Sequence, residues 1–181
     1  SDISAADQAN GTLVVRALTS ADGVKVDGKV VTTVDTISGS AVENIVMTAD
    51  ASSATVITPL TTLVEAGVSN DDVIDILGLD STSIDINMFN PFSADNNGTA
   101  NAIAFEKVAS QIFTTVNTIA EAINSAAGND IDADAVFMLA IAEVAEKIEE
   151  EVQVRDTNAA IATDAAALQV EADALQVEAD A

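Results

Sequence analysis

The first third of the chain alternates apolar and polar residues as β-strands do. Residues 12–18 are mostly apolar and β-branched, residues 24–34 alternate valines with charged residues, and residues 42–48 form a third apolar run. An Asp-Gly dipeptide, Asp27-Gly28, divides the second run and favours a tight hairpin turn. Residues 1–57 are therefore predicted to form a small N-terminal antiparallel β-sheet, Ig-like or a partial sandwich, with an N-terminal arm.

The spacing of apolar residues changes to a helical period after residue 57. Thr58 followed by Pro59 is the signature of an N-cap with proline at the first helical position. From residue 100 to residue 126 apolar residues recur every three or four positions, which predicts a long amphipathic helix. Its stripe consists of Phe105, Val108, Ile112, Val116, Ile119 and Ile123. Residues 58–128 are therefore expected to form a helical region packed on the sheet, so the fold class is α+β.

The last part of the chain, residues 129–181, is acidic, rich in alanine, and contains neither Gly nor Pro. A first helical stripe runs through Phe137, Ile141, Val144 and Ile148, and a second begins at Ile161 in 4-3 alternation. The heptad at 167–173 is repeated at 174–180. Leu168, Val170 and Ala172 also lie at period 2, so this arm is predicted to be either helical or extended.

The composition excludes several classes of enzyme. The chain has no His, Cys, Trp or Tyr. This excludes thiol chemistry, Ser-His-Asp catalysis and metal sites built on His or Cys. Carboxylate pairs could hydrolyse glycosides, but a sugar-binding cleft usually offers Trp or Tyr rings. We expect no enzyme and no catalytic residue.

The charge of the chain restricts its partners. Thirty acidic residues against six basic ones give a net charge of −24. Such a surface repels nucleic acid and anionic membranes, and no apolar run reaches 18 residues, so no membrane insertion is expected. Because the chain begins with Ser1 and shows no signal segment, we expect a processed product located extracellularly or at the cell surface; an excised fragment of a longer protein is the alternative.

One acidic run has the spacing of a metal loop. Asp130, Asp132 and Asp134 form a D-x-D-x-D pattern like the first half of a calcium loop. The EF-hand pattern fails further on, where Ala135 stands at position 6 and Ile141 at position 12. In the other interpretation, one Asp simply caps the helix that begins near Ala135. No cofactor is expected to be required, and Ca²⁺ is the ion that this run would bind.

The segment at 54–94 resembles a module of large secreted bacterial proteins. It contains the phrase Thr58-Pro59-Leu60-Thr61-Thr62-Leu63, then Leu77-Gly78-Leu79, then Phe89-Asn90-Pro91-Phe92. This order is similar to that in repeat-rich, often calcium-dependent adhesins of the RTX type and in biofilm-matrix proteins. The resemblance implies a secreted β unit leading into helices and implies no catalytic residues. The chain departs from the module at Asn90, where an Asp is expected, and lacks glycine-aspartate nonapeptide repeats.

These observations predict a secreted structural protein whose copies assemble into an extracellular filament or biofilm matrix. The alternatives are a calcium-dependent adhesin module that binds a ligand, glycan or surface, and a surface-layer subunit. In the first case the partners are copies of the same chain, and a donated strand is one means of assembly. The predicted assembly residues are Leu13, Val15 and Ala17 in the N-terminal arm and Ile161, Leu168 and Leu175 in the C-terminal arm.

Overall fold

The computed structural model describes residues 11–34, 45–128 and 131–179, and these residues form an α+β fold, as predicted. A small β region is followed by four α-helices within the described residues. The elements are β1 (Thr12–Arg16), a 3₁₀ turn (Ser20–Asp22), β2 (Lys25–Val26), β3 (Lys29–Val30), β4 (Val46–Asp50), α1 (Pro59–Glu65), α2 (Asn70–Ile76), α3 (Ala100–Ala126) and α4 (Ala133–Ala179).

The β region consists of two antiparallel ladders of two strands each. β1 pairs with β4, in a register that places Val14 opposite Thr48. β2 and β3 form the predicted hairpin, in which Asp27 and Gly28 have φ angles of 51° and 78°. A two-residue hairpin turn needs positive φ at both positions, and Asp-Gly supplies it. The third predicted run, 42–48, becomes a strand only from Val46 onward, and residues 42–44 lie outside the described residues.

Helix α1 begins where its capping signal predicted, and α2 also begins at a capping side chain. The Thr58 hydroxyl accepts a hydrogen bond from the Thr61 N–H at 3.2 Å, and Pro59 is the first residue of α1. Ser69 caps α2 in the same way. These side chains satisfy backbone donors that the first turn of a helix leaves without a partner.

One aliphatic core joins all four helices. The predicted stripe of α3 faces it with Phe105, Ile112 and Val116, which are buried. The first stripe of α4 lies against it, so residues on both sides of the predicted boundary at 128 share the core. Its further members include Leu60, Leu63, Val73, Ile74, Ile86, Phe137, Ile141, Val144 and Ile148.

Helix α4 extends well beyond the residues that it contributes to the core. It has 47 residues, which corresponds to about 70 Å at ~1.5 Å per residue. Its first half contributes to the core, whereas every described side chain from residue 156 onward is exposed. The C-terminal arm is therefore a helix through Ala179 and not an extended strand. Across the described residues, no helix has the length and apolar character needed to cross a membrane.

Candidate assembly surfaces

The outer edge of β4 is closed by helix α1. In an antiparallel ladder, backbone groups point alternately toward the partner strand and away from it. The Ala17 N–H donates to the Ile45 carbonyl at 2.9 Å, so the odd-numbered residues of β4 direct their backbone groups toward β1. The backbone N–H and C=O groups of its even-numbered residues therefore point away from β1. At Thr48, one such residue, the N–H donates to the Thr62 hydroxyl at 3.0 Å and the carbonyl accepts from the Thr61 hydroxyl at 2.8 Å. These two buried threonines occupy the positions that a third strand would need.

The outer edge of β1 is bordered at its C-terminal end by residues 31–34, where the Thr33 N–H donates to the Leu18 carbonyl at 2.8 Å and Val34 forms an isolated bridge. The backbone groups of Thr12, Val14 and Arg16 point away from β4, and no other strand in the described ranges pairs with them. The side chains of Val14 and Val15 are 60% and 51% exposed. An unpaired strand edge is a template for another polypeptide. This edge is therefore a candidate surface for contact between subunits.

The predicted N-terminal assembly residues lie on one face of this ladder. Val15 is exposed, while Leu13 and Ala17 are half-buried. A recess of about 170 Å³ opens beside them, lined by Val15, Arg16, Ala17, Thr33, Ile45 and Met47. Because β1 pairs with β4 of its own chain, it could be donated to a neighbour only by leaving this ladder. The sequence did not indicate that pairing.

Positive charge is concentrated in the same region. Residues 11–34 contain three of the six basic residues and two acidic ones, a net charge of +1 in a chain of net charge −24. In the β2–β3 hairpin Lys25 lies opposite Val30 and Lys29 lies opposite Val26, and all four side chains are exposed. We call the exposed valines and lysines of 11–34, which include residues on both faces of β1, the β-region surface; they are Val14, Val15, Val24, Lys25, Val26, Lys29, Val30 and Val34.

Arg16 is the basic residue of this region that has partners. Its guanidinium lies 2.8 Å from an Asp22 carboxylate oxygen and 3.5 Å from one of Asp134. The pKa of Asp22 is held below its usual value mainly by hydrogen bonds from the Thr19 N–H and hydroxyl, with a smaller effect of Arg16. Arg16 thereby ties β1 to the first turn of α4, while the hairpin lysines project from the body.

The second candidate surface is the part of α4 that leaves the body. We call residues 156–179 the α4 extension; it carries five acidic residues and no basic one. Ile161 is 61% exposed and Val170 is 69% exposed. Leu168 and Leu175, predicted to continue the seam of Ile161, are in the helix, but their side chains lie outside the described part of the chain.

Arg155 fixes the base of this extension. Its guanidinium lies 3.2 Å from Asp72 and 3.4 Å from Asp75, both on α2, and 3.0 Å from Asp156. The hydrogen bond to Asp156 is the main cause that raises the pKa of Arg155, and Asp72 adds to it. Each exposed ion pair of this kind contributes little to stability, and the two with Asp72 and Asp75 place the base of the extension beside α2.

The predicted metal loop contains a helix cap. Asp130 lies outside the described residues. One Asp132 carboxylate oxygen accepts from the N–H groups of Asp134 at 3.1 Å and Ala135 at 3.2 Å, which is the capping role in the second interpretation. In the described ranges, no three acidic side chains are grouped so that they could bind a metal ion. Because the proposed loop needs Asp130, calcium binding stays a prediction.

No family model matches the chain, and neither the curated proteins nor the solved structures contain a match to it. The resemblance to adhesin modules therefore stays a prediction made on the residues themselves.

Proposed function

We propose that this protein is a non-enzymatic, secreted structural subunit whose copies assemble into an extracellular filament or matrix. The observation that carries the proposal is that two parts of the chain, the β-region surface and the α4 extension, expose apolar side chains outside the packed core. Exposed apolar groups collected on one element are typical of surfaces that bind another protein.

Two separate surfaces allow each copy to contact two neighbours. A contact between unlike surfaces that does not close into a ring produces a fibre. The open edge of β1 could also accept an extended segment, because strand addition supplies main-chain hydrogen bonds as well as apolar contacts. The location outside the cell is part of this proposal and is supported by the resemblance to secreted adhesin modules.

The ionisable groups support a structural role. Catalytic acids and bases are usually tuned by burial or by a neighbouring charge. Of the described residues, the carboxyl groups with a lowered pKa are those of Asp22, Asp50 and Asp80. Hydrogen bonds from the Ser52 N–H and hydroxyl are the main cause for Asp50, and those from the Thr82 hydroxyl and N–H are the main cause for Asp80. All three stabilise turns and face solvent at least in part.

The test is the assembly state of the purified chain. We expect sedimentation velocity to show polymers whose size increases with protein concentration. The measurements are made at about 0.15 M salt, where charges are screened beyond ~8 Å. Negative-stain microscopy of the same samples should show fibres or sheets of regular width. Parallel samples in EDTA and in Ca²⁺ decide whether the ion is needed. A chain that remains monomeric at every concentration, with and without Ca²⁺, would refute the proposal.

A further inference from the structure

We propose that the α4 extension of one subunit packs against the β-region surface of the next, so that the polymer is built head to tail. This inference rests on the proposed function and assigns its two contact surfaces. The occupant of each surface is a second copy of the same chain, presenting the other surface.

Charge favours this pairing over the alternatives. The α4 extension has five acidic residues and no basic one, whereas residues 11–34 have a net charge of +1. Two α4 extensions side by side would bring like charges together, which is unfavourable. At about 0.15 M salt the repulsion between distant parts of two subunits is screened, while oppositely charged groups within a few ångströms still attract. The β-region surface is therefore the complementary surface for the extension.

The apolar groups on the two surfaces also match. Ile161 projects from the extension, and exposed valines stand on both β ladders; Val170, nine residues after Ile161, lies on the opposite side of the helix. The recess beside Val15 has a volume of about 170 Å³, comparable to the ~150 Å³ apolar cavity that accepts a benzene-sized group. One branched aliphatic side chain, such as that of Ile161, could fill it. Asp164 lies three residues further along and hence on an adjoining part of the helix surface, where it can meet a hairpin lysine.

The geometry of one subunit leaves both surfaces available. Arg155 holds the base of the extension against α2, and the described side chains beyond it are exposed. The extension is therefore not packed on its own body. Because the two surfaces differ, the contact is heterologous and can repeat from subunit to subunit.

Cysteine cross-linking tests this contact directly, since the chain has no cysteine of its own. Thr32→Cys is next in the chain to Thr33, which lines the recess, and Ala160→Cys is next to Ile161; both positions are exposed. Under polymerising conditions, a thiol-reactive bifunctional reagent should convert the double variant into a ladder of dimers, trimers and higher species. An equal mixture of the two single variants should stop at dimers, and each single variant alone should give no cross-link. The control is a double variant in which Ser110→Cys, exposed on α3, replaces Thr32→Cys. It should give no cross-linked species.

A charge-reversal experiment tests the electrostatic part. Lys25→Glu together with Lys29→Glu should raise the concentration needed for polymerisation about tenfold, since two weak attractions between exposed charges are turned into repulsions. Asp164→Lys added to that variant should recover part of the loss. Lys107→Glu with Lys147→Glu changes the net charge equally, away from the hairpin, and should have a smaller effect.

The outcomes separate this inference from the proposed function. A wild-type chain that never polymerises refutes the proposed function and the contact with it. Polymers that form while the double-cysteine variant gives no ladder, or while one single variant cross-links to itself, overturn the head-to-tail contact alone. Equal effects of the two charge-reversal variants would also overturn it.

Discussion

The hydrogen bonds between Thr62 of α1 and Thr48 of β4 allow a prediction in which the same substitution, Thr to Val, has different effects at the two positions. Thr62→Val should destabilise the fold, whereas Thr48→Val should leave its stability unchanged or raise it. Both changes replace a buried hydroxyl by a methyl group of nearly the same shape. The difference lies in the hydrogen bonds, because the Thr62 hydroxyl accepts from the Thr48 N–H at 3.0 Å, while the Thr48 hydroxyl has no partner among the described residues.

The magnitudes follow from these contacts. Thr62 is fully buried and Thr48 nearly so. Thr62→Val leaves the Thr48 N–H buried without an acceptor, which should lower the free energy of unfolding by about 1–3 kcal/mol. Thr48→Val removes a buried hydroxyl that makes no hydrogen bond and keeps both main-chain bonds to α1, so we expect a gain of up to about 1 kcal/mol.

The assay is urea unfolding followed by far-ultraviolet circular dichroism, since the chain has no Trp or Tyr to report by fluorescence. The matched control is Thr114→Val on the exposed surface of α3, where the hydroxyl donates to the Ser110 carbonyl; its effect should stay within about 0.5 kcal/mol. If Thr62→Val is as stable as this control, the threonine closure of β4 is wrong.

Further predictions concern the core, acid and calcium. Ile112→Ala should cost about 2–5 kcal/mol because Ile112 is buried in the core, whereas Ile103→Ala, on the exposed side of the same helix, should change stability by less than about 0.5 kcal/mol; equal melting temperatures would contradict this assignment. Because the pKa of Asp50 is lowered in the folded protein, its carboxylate stabilises the fold fully at pH values above its usual pKa of 3.8. This contribution is lost as the pH falls through the lower pKa of the folded state. In Asp50→Asn, the free energy of unfolding should therefore fall less steeply as the pH is lowered. If it falls as steeply as in the wild type, the Asp50 turn does not contribute to the loss of stability in acid. Asp132→Ala should cost about 0.5–2 kcal/mol through loss of the α4 cap, equally in EDTA and in Ca²⁺; stabilisation of the wild type by Ca²⁺ that this variant loses would indicate a metal loop.

Local signals in the sequence predicted much of the fold. Thr58-Pro59 indicated the start of α1, Asp27-Gly28 indicated the hairpin, and the apolar stripe of α3 identified its buried face. Each of these features depends on residues a few positions apart, so propensity and periodicity are sufficient to reveal them.

The remaining features depend on contacts between distant residues. The pairing of β1 with β4 joins segments 30 to 38 residues apart along the chain, and no local pattern states which strand is its partner. The same holds for Thr61 and Thr62, whose motif predicted a helix but not that their hydroxyls would close the edge of β4. The run Glu149-Glu150-Glu151 separates the two apolar stripes of the sequence, and α4 continues through it because an acidic run on the exposed side of a helix does not interrupt its backbone hydrogen bonds.

The candidate surfaces could be predicted only in part. The C-terminal seam through Ile161 was visible as a 4-3 alternation, and the alternation of Leu13, Val15 and Ala17 placed them on one face. The clustering of basic residues in 11–34 is also present in the sequence and was missed, because net charge was considered for the whole chain. The recess beside Val15 needs Ile45 and Met47 from a distant strand and could not be foreseen.

The most direct test of self-assembly compares the full chain with a truncated chain that ends at residue 155. Both are measured by sedimentation and negative-stain microscopy at equal concentration and about 0.15 M salt. The described side chains beyond residue 155 are exposed, so the truncated protein should keep the unfolding midpoint of the full chain and lose only the helical circular dichroism signal of residues 156–179. We predict that the full chain forms fibres and that the truncated chain stays monomeric. A full chain that remains monomeric would contradict self-assembly, and fibres that form equally well without residues 156–181 would show that the α4 extension is not the contact.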